Sequence, residues 1–323
     1  MHAVVPSPSE LNFFKRVFES RIDLSGLNLN GVNFVCATLR GARFSADRDG
    51  HSRNSSSLQG TNFKGAKLDE AVFSTAYIGE ANLNSSDLHL ANLQNTDLNG
   101  ADLRGANLLL ADLKGANLYR TRLEGAYLFR CDLNTAVGLE FVDWGNYRIG
   151  EEIDAVYGHR GEYIHERFLR AEPIYRSLRY WHLRAGVADR AAEFYYREME
   201  CRRKQALSDY RWRDAVKLAF AHTFVGYGER PSRTFLWAAG IIVIFAAILF
   251  TLGGLTCGTE KSPSSCSGLD ALYLSAVSFT ALGYGDWAAT PNEVGRFLGV
   301  FESFLGVFTM ALFVTLFVRK MSR

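Results

Sequence analysis

From Ile22 onward the chain repeats every five residues, "IDLSG LNLNG VNFVC ATLRG ARFSA" and, after a break, "ANLQN TDLNG ADLRG ANLLL ADLKG ANLYR TRLEG AYLFR CDLNT". With the middle residue of each unit as reference, five centres run from Leu24 to Phe44 and sixteen from Leu58 to Leu133, and every one is Leu, Phe or Ile. Two positions earlier the residue is mostly Ala, Ser, Thr or Cys, with the larger Ile22, Leu27 and Val32 at the start, and neither position is ever charged. Helices repeat at 3.6 residues and strands at 2, so a period of five requires a repeat architecture.

This A[DN]LxX pattern resembles the pentapeptide-repeat family. The resemblance implies a right-handed quadrilateral β-helix over residues 22–139, four units to a coil, with centre residues filling the axis and small residues fitting beside them. Twenty-one units make about five coils and a rod of roughly 25 Å at the usual strand spacing. Residues 47–55, "DRDGHSRNS", stand outside the repeat and are expected to form a loop insertion; Asp47, Asp49 and Gly50 resemble a fragment of a calcium loop whose flanking ligand positions are missing. Residues 1–21 are expected to supply a short helix covering the open end of the solenoid. Some members of this family imitate DNA with an acidic surface. Here Ile22 to Thr135 holds 12 acidic and 11 basic residues, which argues against a duplex mimic. The whole chain, at a net charge of +2, shows no bias toward nucleic acid either. An assembly or interaction domain is expected, with an unknown cytoplasmic protein as partner.

The other strong constraint is apolar. Phe235 to Leu255 gives 21 residues without a charge, and Phe297 to Val318 gives 22 with Glu302 alone. About 20 residues suffice to cross a bilayer as a helix. Arg230 and Arg233 precede the first run and Arg319, Lys320 and Arg323 follow the second, while the segment between has Lys261 and Arg296 against four acidic residues. The positive-inside tendency then places both chain ends in the cytoplasm of a multi-pass protein of the cell (inner) membrane. No signal peptide is expected from "MHAVVPSPSELNFFKRVFESR". In the outward segment Cys257 and Cys266 could pair as a disulfide or stay free thiols; Cys36, Cys131 and Cys201 read as ordinary small apolar residues.

Gly-Tyr-Gly occurs twice, at Gly226 to Gly228 and at Gly283 to Gly285. The first copy precedes both apolar runs and leads into "ERPSR", which reads as a bend entering the first span. The second lies between the spans and follows "LDALYLSAVSFTA", a stretch long enough for a helix that enters partway and turns back, with Ser267 or Asp270 as its cap. The order of span (234–255), short helix (269–280), glycine-rich strand (281–286) and span (295–318), within a pore domain of 230–323, resembles the pore module of tetrameric potassium and related cation channels.

That resemblance implies a homotetramer in membrane lipid with K⁺ as permeant ion and no further cofactor. The filter would be Thr280, Ala281, Leu282, Gly283, Tyr284, Gly285 and Asp286, with K⁺ held by the carbonyls of Ala281, Leu282, Gly283 and Tyr284. Ala281 departs from the family, where Thr usually supplies a hydroxyl to the innermost site, and Thr280 is one position too early to replace it. K⁺ over Na⁺ is expected; a non-selective cation pore, or a membrane-anchored scaffold with a silent pore, are the alternatives. Glu302 should face protein, against the hydroxyls of Ser275 or Ser278 behind the filter, and Gly306, eleven residues after Gly295, serves either as a gating hinge or as a packing residue. The chain lacks the repeated arginines of a voltage sensor.

Residues 140–229 read as an α-helical connector in which Tyr175 to Lys204 resembles one tetratricopeptide-type hairpin, with Gly186 at its turn and Ala191, Ala192, Phe194 and Tyr195 on its second helix. The basic, amphipathic "DYRWRDAVKLAFAHTF" that follows suits either a membrane surface or a solvated linker. There is no phosphate-binding glycine loop, no zinc-ligand spacing, and the seven histidines are scattered, so an enzyme is not expected.

Overall fold

The computed structural model describes residues 22–45, 55–133, 135–157, 164–252, 255–259, 262–264, 267–281, 290–291 and 293–321. The expected N-terminal cap and the insertion after Ala46 therefore lie outside the described residues. The chain divides into two compact units, Met1–Trp212 and Arg213–Arg323.

In the first unit each five-residue step puts one residue into a parallel bridge with the residue twenty positions on, as in Asn62 with Asn82, Asn82 with Asp102 and Asp102 with Arg122. Where a pair straddles residues 46–54 the offset grows by those nine residues, so that Asn28 meets Ser57 and Asn33 meets Asn62. The backbone of one level is satisfied by the next: the Leu83 amide donates to the Asp102 carbonyl at 2.8 Å and the Asp87 amide to that of Ala66 at 2.9 Å. Where an Asp or Asn precedes the centre, it has its own task. Its side-chain oxygen accepts the amide two residues on, as Asp97 does from Asn99 at 3.1 Å and Asn62 from Lys64 at 3.2 Å, which turns the corner.

The fifth residue of the unit takes a left-handed conformation, φ 65° at Gly105 but also 58° at Leu110 and 55° at Arg120. Only glycine adopts this freely, and its frequency at that position follows. Centre residues such as Leu68, Leu83 and Leu98 are wholly buried. Where the small position is a hydroxyl residue, a carbonyl receives its proton: Thr96 donates to Phe73 at 2.8 Å and Thr121 to Leu98 at 3.0 Å. Toward the N-terminal end phenylalanine replaces leucine, and Phe63 touches three rings, stacking on Phe34 at 5.2 Å and meeting Phe44 and Phe73 edge-on at 5.9 and 6.1 Å.

Stacking continues beyond the last regular repeat. Asn117 bridges Val137 and Arg122 bridges Asp143, with a 3₁₀ turn at Leu139–Phe141 between them, and Leu139, Val142 and Trp144 close the core. Helix α1, Gly150–Tyr157, then ends the ladder, because Glu151 Oε1 accepts the Leu128 and Phe129 amides at 2.7 and 2.6 Å, where another level would otherwise offer carbonyls. Helices α2 (Ile164–Arg184) and α3 (Ala188–Ser208) form a hairpin through Gly186, at φ 76°, and extend beyond both ends of the 175–204 stretch that suggested it. Phe194 of α3 packs edge-on against Trp144 at 5.3 Å, while the Tyr175 hydroxyl of α2 donates to the buried Glu152 at 2.5 Å.

The second unit comprises α4 (Trp212–Val225, its first residue at the boundary), α5 (Pro231–Thr251), strands β1 (Leu255–Thr259) and β2 (Ser262–Ser264), α6 (Gly268–Thr280), strand β3 (Thr290–Pro291) and α7 (Glu293–Met321). The strands form one antiparallel sheet in the order β2-β1-β3. Helices α5 and α7 are long and apolar enough to cross a membrane, and only 17% of the most apolar window of each is buried within the chain, which a soluble core helix would not tolerate.

Two outcomes follow for the first unit. Phe63→Ala, which empties a three-ring contact, should cost about 3–5 kcal/mol in denaturant unfolding. Burial pushes the Glu151 carboxyl from its ordinary 4.5 up to about 7, against the pull of the backbone amides of Glu151 itself, Phe129 and Leu128. The folded chain thus holds this proton more tightly than the unfolded one, and stability should fall as pH rises from 4.5 to about 7 and then level off. Glu151→Gln should remove that part of the slope.

Candidate functional site

The site is built around α6. Its first turn is closed by a reciprocal pair, with the Ser267 amide donating to Asp270 Oδ2 at 2.8 Å and the Asp270 amide to Ser267 Oγ at 3.3 Å. Beyond Asp270 the helix carries no charge, and Ala271, Leu274 and Phe279 are buried. Ala271 and Leu274 join Ala246 and Leu249 of α5 in one apolar cluster. The helix ends at Ala281, whose left-handed conformation, φ 55° and ψ 26°, turns the chain out of the helix.

Polar contacts fix α6 from both sides. Ser275 Oγ lies 2.8 Å from the Ile242 carbonyl oxygen of α5 and in closer contact with Glu302 Oε1 of α7. One residue further along α7, Ser303 Oγ donates to the Ser278 carbonyl at 2.7 Å. A turn later Gly306 is buried against Phe279 so closely that an added β-carbon would collide with the Phe279 carbonyl oxygen. Glu302 itself has no exposed surface. The contacts join Ser275, the Ser278 carbonyl, Glu302 and Gly306 within a single three-helix packing; Ser303 and the Ile242 carbonyl were missed by sequence reasoning. A hydroxyl beside the lone charge of an apolar run was the available clue to Ser303.

The Thr280 hydroxyl donates back to the Ala276 carbonyl at 2.8 Å and so is satisfied within its own helix. Leu282, Gly283, Tyr284, Gly285 and Asp286 lie outside the described residues. So do Cys266 and the side chain of Cys257, whose backbone pairs in register with Ser264. The earlier Gly-Tyr-Gly is a 3₁₀ turn between α4 and α5, with all three residues left-handed at φ 54°, 58° and 87°. There the first turns of α5 satisfy the last carbonyls of α4: Arg233 donates to His222 at 2.5 Å, Thr234 to Phe224 at 3.1 Å and Trp237 to Thr223 at 3.0 Å. Among the described residues no group of three or more His, Cys, Asp or Glu side chains could hold a metal ion.

Residues 237–323 match the family described as "Ion channel", and residues 20–45, 56–95 and 96–134 match "Pentapeptide repeats" in 8 copies. The chain carries pentapeptide repeats and an ion channel domain of the two-transmembrane type. Its α5 and α7 are the candidate spans of that domain, which makes it a membrane protein. Neither family is an enzyme family.

Similar solved structures include HetL from the cyanobacterium Nostoc sp. strain PCC 7120, described as a pentapeptide repeat protein involved in heterocyst differentiation regulation, at 30% identity over 38% of this chain and 54% of that one, TM-score 0.36. Others are Rfr23 from the cyanobacterium Cyanothece 51142, at 25% identity over 38% of this chain and 90% of that one, TM-score 0.32, and a repeat protein from Nostoc PCC 7120, at 38% identity over 33% and 74%, TM-score 0.25. The chain thus spans about half the length of HetL. No curated protein matches the chain.

Gly306→Ala should destabilise the channel domain by about 1–3 kcal/mol, since the methyl group meets backbone that cannot swing aside. Ser303→Ala should cost about 1 kcal/mol. Thermal melts of the purified protein in detergent test both, and a Gly306→Ala melt equal to wild type would contradict the packing described.

Proposed function

We propose that four copies of this chain form a potassium-type channel in the cell membrane, with both termini cytoplasmic and the filter at Thr280 to Asp286, read as TALGYGD. The observation that carries this reading is the placement of α6. It is a short, capped, uncharged helix packed on two candidate spans, and its C-terminal end releases the chain at Ala281 directly into Leu282, Gly283, Tyr284 and Gly285. The negative end of a helix dipole favours a cation. Glycine backbone in turn allows successive carbonyls to replace an ion's water. Gly306, pressed against the last turn of α6, is where bending of α7 would reach the filter.

In the same reading the repeats are a right-handed quadrilateral β-helix, supported by the twenty-residue bridge offset that four five-residue units produce. They serve assembly, binding of a cytoplasmic partner, or gating. Helix α4, with Val216 and Phe220 exposed on one side and Arg213 and Lys217 nearby in sequence, lies along membrane lipid.

Proteoliposomes holding the purified chain should pass K⁺, and a bi-ionic K⁺/Na⁺ reversal potential should lie well away from zero. Gly283→Ala should lower the flux at least tenfold, the effect of about 1.4 kcal/mol on a barrier. A reversal potential near zero would favour the non-selective pore, a reading that Ala281 in place of a hydroxyl residue supports. Absence of flux would favour a silent scaffold.

A further inference from the structure

The oxygen of Ser275 faces two acceptors. One is the Ile242 carbonyl oxygen of α5, at 2.8 Å, and the other is Glu302 Oε1 of α7, in still closer contact. A serine hydroxyl has one hydrogen, while a carbonyl and an ionised carboxylate can only accept. With Glu302 ionised, one of the two contacts would set oxygen against oxygen with no proton between them. Both become hydrogen bonds only when the carboxyl carries the proton.

We infer that Glu302 is a neutral acid that donates from Oε1 to Ser275 Oγ, which donates onward to the Ile242 carbonyl, so that one carboxyl proton ties α7 to α6 and α6 to α5. Two further observations agree. Glu302 has no exposed surface, and its second oxygen, Oε2, is buried without a hydrogen-bond partner. An acid's carbonyl oxygen tolerates this far better than a carboxylate oxygen, whose charge in an apolar interior demands several donors. Among the described residues no cation pairs with Glu302, and Arg233, at the start of α5, is engaged with the His222 carbonyl. Residues 234–251 of α5 include no ionisable side chain; α6 offers Asp270, engaged with Ser267 at the far end, and Tyr273; and α7 itself has Glu293 and Arg296 in its first turns and Arg319 and Lys320 near its end.

The consequence is a conformational device. While the proton is held, the helix that leads into Ala281 is fastened on both sides. Its removal would put a charge beside a hydroxyl already committed to Ile242 and loosen the tie of α6 to α7, which the Ser303 bond to the Ser278 carbonyl would then hold alone among these polar contacts. This rests on the proposed membrane reading of α5 and α7, but its test does not depend on ion flux.

Infrared difference spectra of the full-length protein in lipid vesicles, wild type minus Glu302→Gln, should show a protonated-carboxyl stretch at neutral pH that the variant lacks. The band should persist to a pH at which the exposed carboxyls are ionised. Loss of a carboxylate band instead would overturn the inference. Glutamine keeps a donor in the same place, so Glu302→Gln should melt like wild type and Glu302→Leu lower; equal melting of both would also count against it. Should the glutamine variant fail to fold, Ser275→Ala, which removes the acceptor, should shift the same band, and an unshifted band would refute the relay. A silent pore would leave all these readouts unchanged.

Discussion

A peptide group removed from water must find its partner inside the protein, and each part of this molecule meets that requirement differently. In the repeats many partners lie on the next level, as when the Leu83 amide reaches the Asp102 carbonyl, while others lie within the turn, as from Ala101 to Leu98, and several corners turn on an Asp or Asn side chain. In the channel domain, with water absent around the long apolar helices, the partner lies within the helix itself. The proposed filter inverts the rule. There the carbonyls that no amide claims become the ligands of an ion.

Boundaries between these regimes are where side chains intervene. Glu151 ends the repeat ladder by accepting two amides that lack a further level, and Arg233, Thr234 and Trp237 close the last carbonyls of α4 before α5 begins. Ser275, Ser303 and Glu302 do the same at α6, the element that leads into the proposed filter. Small residues allow the approach. Gly306 against Phe279 leaves no space for a methyl group.

Legibility in the sequence followed the strength of the periodic signal. The five-residue repeat from Leu24 to Leu133 announced the first unit, because a buried axis tolerates only Leu, Phe or Ile at its centres. The last level escaped notice: a 3₁₀ turn at Leu139–Phe141 shifts the register from twenty to twenty-one residues, and Trp144 fills space that leucine fills elsewhere. The role of Glu151 was equally hidden, since its partners lie more than twenty residues away. In the channel domain the spans and the capped short helix were readable from apolar runs and from Ser267 and Asp270. The contact of Ser275 with the Ile242 carbonyl was not, because a backbone acceptor leaves no mark in a sequence.

The central claim is that peptide oxygens of residues 281–284 from four chains surround a dehydrated cation. Crystals of the full-length protein grown with Rb⁺ in place of K⁺ test it through the ion's anomalous scattering. The expected result is a row of peaks on a fourfold axis, each ringed by those carbonyls. Chains unrelated by a fourfold axis, or an axis on which no ion meets that segment, would contradict it.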